Sequence, residues 1–296
     1  GYLKFFFLKF SYLIKKTPKI IISINFISLF FTFFLPSKKI KLIYYNFDFD
    51  LKKKYNNLIE KNLIKKFHYV ILPSKSRLNL YKNKFKRKNN IFFLNNCFSK
   101  RFKINKFKND YKYNKIKYLV RLGSFSSSHA LKEIALSTKY WKNNIYLIMA
   151  GKSYDGYFEE LKKFIKIKKL NKIKLYKNIN YHKWFKFLAN AIAGFALYDP
   201  VNTSHNHMGG TSQKLNNYIF YNLPSIITKN KDFNSFNKKY KTSKTVDNNY
   251  KEIAKCVNKI INNKKLYIKL KNNNKNAFEK EFNFEKQIEK IKKIFI

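Results

Sequence analysis

At 296 residues, 45% of them apolar, the chain has length and core material for about two ordinary domains, which excludes a small cross-linked scaffold. Its two cysteines, Cys97 and Cys256, form no CxxC pair, which argues against a disulfide framework or a cysteine zinc site and fits a reducing compartment. The net charge of +48 would ordinarily indicate a polyanionic partner. Here Lys, Asn, Ile, Phe and Tyr rise together along the whole length, as an AT-rich coding sequence produces, and Arg is scarce beside Lys. Nucleic acid is therefore not an expected partner.

The first hundred residues alternate short apolar strands with helical runs, the pattern of a parallel sheet wrapped by helices. Strands are expected at 19–24, 40–45, 69–72 and 91–94, and helices at 25–35, 51–67 and 76–85. No stretch reaches the ~20 apolar residues of a membrane span. The nearest, 26–35, reads as a buried helix, with peripheral docking through it and Lys38, Lys39 and Lys41 as the alternative. Because Gly1 already lies in helix-like sequence, N-terminal residues are expected to be missing.

From 103 to 115 the chain turns polar and lysine-rich, as an interdomain linker would. The alternation then restarts, with strands at 118–122, 145–149, 172–176, 194–198 and 225–228, and helices at 130–139, 157–168, 181–190, 213–221 and 250–261. The Asn-Lys runs near Asn272 read as a surface loop or fraying helix. Two doubly wound domains in tandem follow.

In such sheets ligands bind beyond the carboxyl ends of the strands. The loop Gly123-Ser124 to His129 is a small-residue turn into a helix, whose free amides suit an anion, although a glycine after a strand is more often only a turn. Gly151 closes the second strand in the same manner. Gly209, Gly210, Thr211 and Ser212 run into a helix with Lys214 in its first turn, a sensible diphosphate clamp, or else an ordinary capped helix with a solvated lysine. Asp48 and Asp50 spell a metal-binding DxD, a cheap pattern, and His205 and His207 are two ligands without a third. No metal site is expected.

Order and spacing carry a resemblance. A strand ending at Gly123, a strand ending at Ala150-Gly151, then Leu197-Tyr198, Ser212, Lys214, Leu215, Tyr218 and Pro224, with Phe282 to Glu285 near the end, resembles the group-1 (retaining) GT-B glycosyltransferases. Ser74 after Pro73, and Asn95-Asn96, resemble that family's exit from the acceptor domain. The implied fold is α/β, two Rossmann-like doubly wound domains facing across a cleft, the N-terminal one incomplete. The implied division is an acceptor-side domain at 1–105, a linker at 106–115, a nucleotide-sugar domain at 116–275 and a C-terminal helix at 276–296.

The resemblance implies a nucleotide-sugar-dependent transferase that moves a sugar from a UDP- or GDP-linked donor to a glycan or lipid-linked acceptor of a surface polysaccharide. It would work without a metal or other cofactor, in the cytoplasm or at the inner face of the membrane. The implied donor contacts are Gly123, Ser124, Gly151, Gly209, Gly210, Thr211, Ser212 and Asn217, with Lys214 on the diphosphate and Asp48 orienting the acceptor. Asn217 stands where the family carries a ribose-binding Glu, Asn222 where it carries Gly, and Phe47 where it carries His. These departures keep open the alternative of a catalytically impaired binding protein on the same scaffold.

Overall fold

The computed structural model describes residues 18–33, 35, 40–47, 54–102, 117–142, 144–153, 155–199 and 205–295. Asp48, Asp50, Lys38, Lys39 and the linker expected at 106–115 lie outside them. The chain divides into two compact units, one up to Asn95 and again from Ile288, the other Asn96–Gln287.

The first unit is a four-stranded parallel sheet in sequential order, β1 (Ile20–Ile24), β2 (Lys41–Tyr45), β3 (Tyr69–Leu72) and β4 (Ile91–Phe93). Three helices connect them: α1 (Asn25–Phe33), α2 (Lys54–Leu63) and α3 (Lys75–Phe85), the last started by Ser74, whose hydroxyl accepts from the Arg77 amide. Period-two alternation fixes two faces. Leu42, Tyr44, Val70 and Leu72 pack with Leu29, Leu78 and Tyr81, while Ile43, Tyr45 and Ile71 pack with Ile291 and Ile294 from the end of the chain. Those two terminal isoleucines cover a face that the first ninety residues leave open.

The second unit is a six-stranded parallel sheet in the order β10-β9-β8-β5-β6-β7. Its strands are β5 (Tyr118–Leu122), β6 (Tyr146–Gly151), β7 (Ile173–Lys177), β8 (Ala193–Ala196), β9 (Ser225–Thr228) and β10 (Ser243–Val246). Helices α4 (Leu131–Ser137), α5 (Tyr157–Ile167), α6 (Tyr181–Asn190), α7 (Gln213–Phe220), α8 (Lys231–Tyr240) and α9 (Tyr250–Asn262) alternate with them. On one face Leu119, Leu147, Met149, Phe195 and Ile226 meet Leu131, Ile134, Ile253 and Val257; on the other Val120, Ile148, Ala196 and Ile227 meet Phe187, Leu215 and Tyr218. The asparagine load is put to use: Asn180, Asn230, Asn249 and Asn263 each cap a helix N-terminus through the side-chain oxygen.

Four features depart from the sequence reading. Strand β10 and helix α8 were not expected: Ser243–Val246 is a short, polar edge strand, whereas α8 does repeat Phe233, Phe236 and Tyr240 along one side, a signal that the sequence reading passed over. Asn272 lies within a seventeen-residue helix, α10 (Lys264–Lys280), instead of a loop. Asparagine is a weak helix former, but Asn274 is fully buried and its amide donates to Thr242 O at 3.0 Å and Leu270 O at 2.8 Å, so tertiary contacts outweigh propensity. After α10 the chain forms α11 (Phe284–Glu289) and a 3-10 turn at Lys292–Ile294 in place of one helix to Phe295.

Candidate functional site

Strand β5 lies between β6 and β8, so the chain reverses its direction of growth across the sheet there, and the carboxyl ends of β5 and β8 flank the switch point where doubly wound folds bind ligands. Five consecutive residues of β5 are buried, among them Arg121. A strand covered on both faces has no water for a guanidinium. Arg121 Nη1 instead donates to Gly123 O at 2.9 Å and Ser124 O at 2.7 Å, and burial lowers its pKa to about 10, leaving it charged at neutral pH. Its Nη2 is buried with no hydrogen-bond partner among the described residues.

Gly123 has φ of 134°, outside the range of ordinary residues, and a Cβ there would stand 2.6 Å from Lys214 Cε. A Cβ on Gly151 would stand 1.8 Å from Gly123 O, so the loops after β5 and β6 touch through bare backbone. Gly123 N donates to Ala150 O at 3.0 Å and Phe125 N to Lys152 O at 2.7 Å, which extends the contact beyond the strands. The half-buried Lys214 lies over the Tyr198 ring, its Nζ 4.6 Å from the centroid and 3.4 Å from the hydroxyl. Burial first, and Arg121 second, push the Lys214 pKa well below the usual lysine value. Neither cation has a carboxylate partner within ion-pair distance among the described residues.

His129, at the end of the Gly123 loop, joins the cluster. It is 7% exposed, its ring centroid is 5.4 Å from those of Tyr198 and His205, and its Nδ1 has no partner among the described residues. Burial, then Lys214, Arg121 and His205, hold its pKa far below the usual histidine value. Among the described residues no three His, Cys, Asp or Glu side chains gather as a metal-binding group.

The structure brings together Gly123, Ser124, Gly151 and Lys214 of the expected set. It gives the glycine turn before α7 a different use from the one its local sequence suggests. Gly209 N donates to Asp232 Oδ2 at 2.6 Å, and the amides of Thr211 and Ser212 both donate to Met208 O. Ser212 is fully buried, caps α7 by accepting from Leu215 N, and lies 2.6 Å from the Tyr198 hydroxyl, so it positions Tyr198 and Lys214 from below. Gly210, φ 81°, offers its carbonyl to Asn216 Nδ2. Asn217 is 5% exposed on the buried side of α7. Asn222 has φ of 54°, a left-handed position that asparagine tolerates next best to glycine, and Leu223 N closes the helix by donating to Tyr218 O.

Arg121, Tyr198 and His129 are the site residues that the motif reading did not assign. A charged residue inside a strand of otherwise unbroken apolar character was the available signal for Arg121. Asp48 lies outside the described residues, while Phe47 next to it is held on both sides, its amide donating to Asn25 Oδ1 at 2.9 Å and its carbonyl accepting from Arg77 Nη1 at 2.7 Å.

No protein-family sequence model matches the chain, and no curated protein sequence matches it. Solved structures do. HepE from Anabaena, solved in complex with UDP, superposes with a TM-score of 0.73 at 14% identity, over 94% of this chain and 78% of that one. Sucrose-phosphate synthase from Thermosynechococcus elongatus gives 0.75 at 12% identity, over 99% and 76%. A glycosyltransferase from Rickettsia africae gives 0.73 at 13% identity, over 98% and 79%. At these identities the likeness speaks for architecture: the chain has the α/β, two-unit Rossmann-like fold, GT-B, that these structures share.

Proposed function

We propose that the chain is a nucleotide-sugar-dependent glycosyltransferase, retaining in stereochemistry, that transfers a sugar to a glycan or lipid-linked acceptor of a surface polysaccharide. The observation that carries this reading is the pair of cations without a carboxylate partner among the described residues, the buried Arg121 and the half-buried Lys214, set against the bare backbone of Gly123 at the switch point of the second sheet. Two cations without counter-ions are costly unless an anion completes them, and a diphosphate matches that charge. HepE has been solved with UDP, with UDP and glucose, and with UDP-glucose, which supports a uridine nucleotide among the donors to try.

In this mechanism Arg121 and Lys214 stabilise the charge that develops on the departing nucleoside diphosphate. The absence of a side chain at Gly123 and Gly151 lets the diphosphate approach the backbone, Asn217 reaches the nucleoside as an uncharged hydrogen-bonding group, and Asp48 orients the acceptor hydroxyl. The two protein cations supply the charge that a metal would otherwise bring. Residence in the cytoplasm, with peripheral contact to the inner membrane face, belongs to the same proposal. Helix α1 leaves Ile27 and Phe30 exposed, and among the described residues no helix is long and apolar enough to cross a membrane.

Calorimetric titration with UDP, GDP and their sugars tests the reading. Binding in the ~0.01 to 1 mM range of ordinary enzyme ligands, lost in Lys214→Ala, is the expected result. No binding by the parent chain removes the donor site. Asn217 and Phe47, where the family carries Glu and His, favour one second reading, a binding protein on the same fold. Nucleotide-sugar binding without hydrolysis or transfer to any acceptor would select it.

A further inference from the structure

The donor-site reading leaves one buried group unused. His129 lies at the end of the loop that carries Gly123, and its neighbours come from every element packed against it: Arg121 from β5, Lys214 from α7, His205 from the turn before Gly209, and Tyr198 after β8. The nearest acidic residue in the chain path is Asp199, whose amide donates to Ser128 O at 2.8 Å, and Asp232 is taken by the Gly209 amide. The three basic side chains Arg121, Lys214 and His129 thus share one nearly dry space. Two of them present orphaned polar nitrogens there, Arg121 Nη2 and His129 Nδ1.

We propose that His129 is a third, proton-linked ligand of the donor diphosphate: the imidazole takes up one proton from solvent as the diphosphate enters, and the resulting imidazolium donates to a phosphate oxygen. The inference rests on the donor-site reading and adds a proton to it. Without a ligand, the two neighbouring cations and the loss of water keep the imidazole neutral. A bound diphosphate reverses the local field, and an opposite charge within a few ångströms favours the protonated ring. Binding then consumes a proton, and by linkage affinity falls as pH rises through the bound-state pKa. Lys214 is subject to the same field, and any proton it takes up persists in His129→Gln, which tells it apart from uptake by the imidazole.

The test is calorimetry with UDP-glucose and with GDP-mannose, whose diphosphates are diesters without a titrating proton near neutrality. Titrations at pH 6.5 in two buffers of different ionisation enthalpy read the protons exchanged. The parent chain is expected to take up about half a proton or more, and its affinity to fall at least about threefold between roughly pH 6 and pH 8. His129→Gln is expected to bind with both effects gone. Binding by the parent with no proton uptake, or uptake near neutrality that persists in His129→Gln, overturns the inference while leaving the donor site standing. Failure of the parent to bind either sugar nucleotide removes the donor site and the inference together. Should His129→Gln fail to fold, NMR titration of the histidine rings in the parent decides: His129 should titrate near neutrality only with nucleotide bound, and a ring that stays neutral to about pH 5 in the complex overturns the proposal.

Discussion

A buried polar cluster of the first unit and one of the second are opposite in kind. In the first, Glu60 is 4% exposed, accepts from Asn46 Nδ2 at 2.8 Å, and lies against the hydroxyls of Tyr44 and Tyr81. Burial raises its pKa, so the carboxyl shifts toward its neutral, hydrogen-bonded form. In the second, the buried Arg121 and the half-buried Lys214 have no carboxylate partner among the described residues, and Arg121 Nη2 has no acceptor there. A buried acid surrounded by neutral donors can satisfy itself by taking a proton. Arg121 cannot satisfy itself by losing one at neutral pH, and on the proposed reading an anion from outside the chain completes the second cluster. On that reading the difference is one between an internal brace and a binding site.

Arg121→Met breaks the comparison most severely. It should cost about 2 to 4 kcal/mol in nucleotide-sugar binding, or roughly thirty- to a thousand-fold, because the buried donor to the diphosphate is gone. Melting should move by only a few degrees, since an unpaired buried charge contributes little net stability. A fall of more than about 10 °C would make Arg121 structural before it is functional.

Glu60→Ala should cost about 1 to 3 kcal/mol in the first unit by leaving the buried Asn46 amide without its acceptor. Glu60→Gln, close to the protonated carboxyl in shape and charge, should stay within about 1 kcal/mol. Denaturant unfolding of both variants measures the difference, and equal losses would mean that the native carboxyl is ionised.

The smallest effects are opposite pH slopes. With its folded pKa raised, Glu60 stabilises the first unit below the unfolded value of 4.5, and that contribution is lost as pH rises through the folded pKa. His129, with its folded pKa lowered, stabilises the second unit above 6.5, and that contribution is lost as pH falls below it. Each slope is at most about 1.4 kcal/mol per pH unit. Amide exchange resolved by unit should show slopes of opposite sign, abolished respectively by Glu60→Gln and His129→Gln.

Much of this was legible in the sequence. Strands with undivided apolar character, such as 69–72, or with one interruption, such as 118–122 with Arg121, announce themselves because a parallel sheet covered on both faces needs no polar alternation. The Ser212 to Pro224 stretch points to helix α7, and Lys214 to a side chain that lies against Gly123. The glycine turn before α7 misleads because its pattern is local, whereas Asp232, which engages the Gly209 amide, arrives from the next helix. Ser212 fits both a ligand contact and a helix cap, and only its burial beneath Tyr198 shows which bond its hydroxyl makes.

By itself, the sequence determined the alternation of strands and helices, the parallel α/β class, and the glycines where backbone approaches its neighbours closely, because these depend on residue periodicity and on backbone freedom within a few positions. The tertiary structure alone decided that β5 lies beside β8, that Arg121 and Lys214 gather with His129, and that among the described residues no carboxylate pairs with either cation. Charge burial is a property of what surrounds a group in space, and those surroundings come from strands and helices distant along the chain.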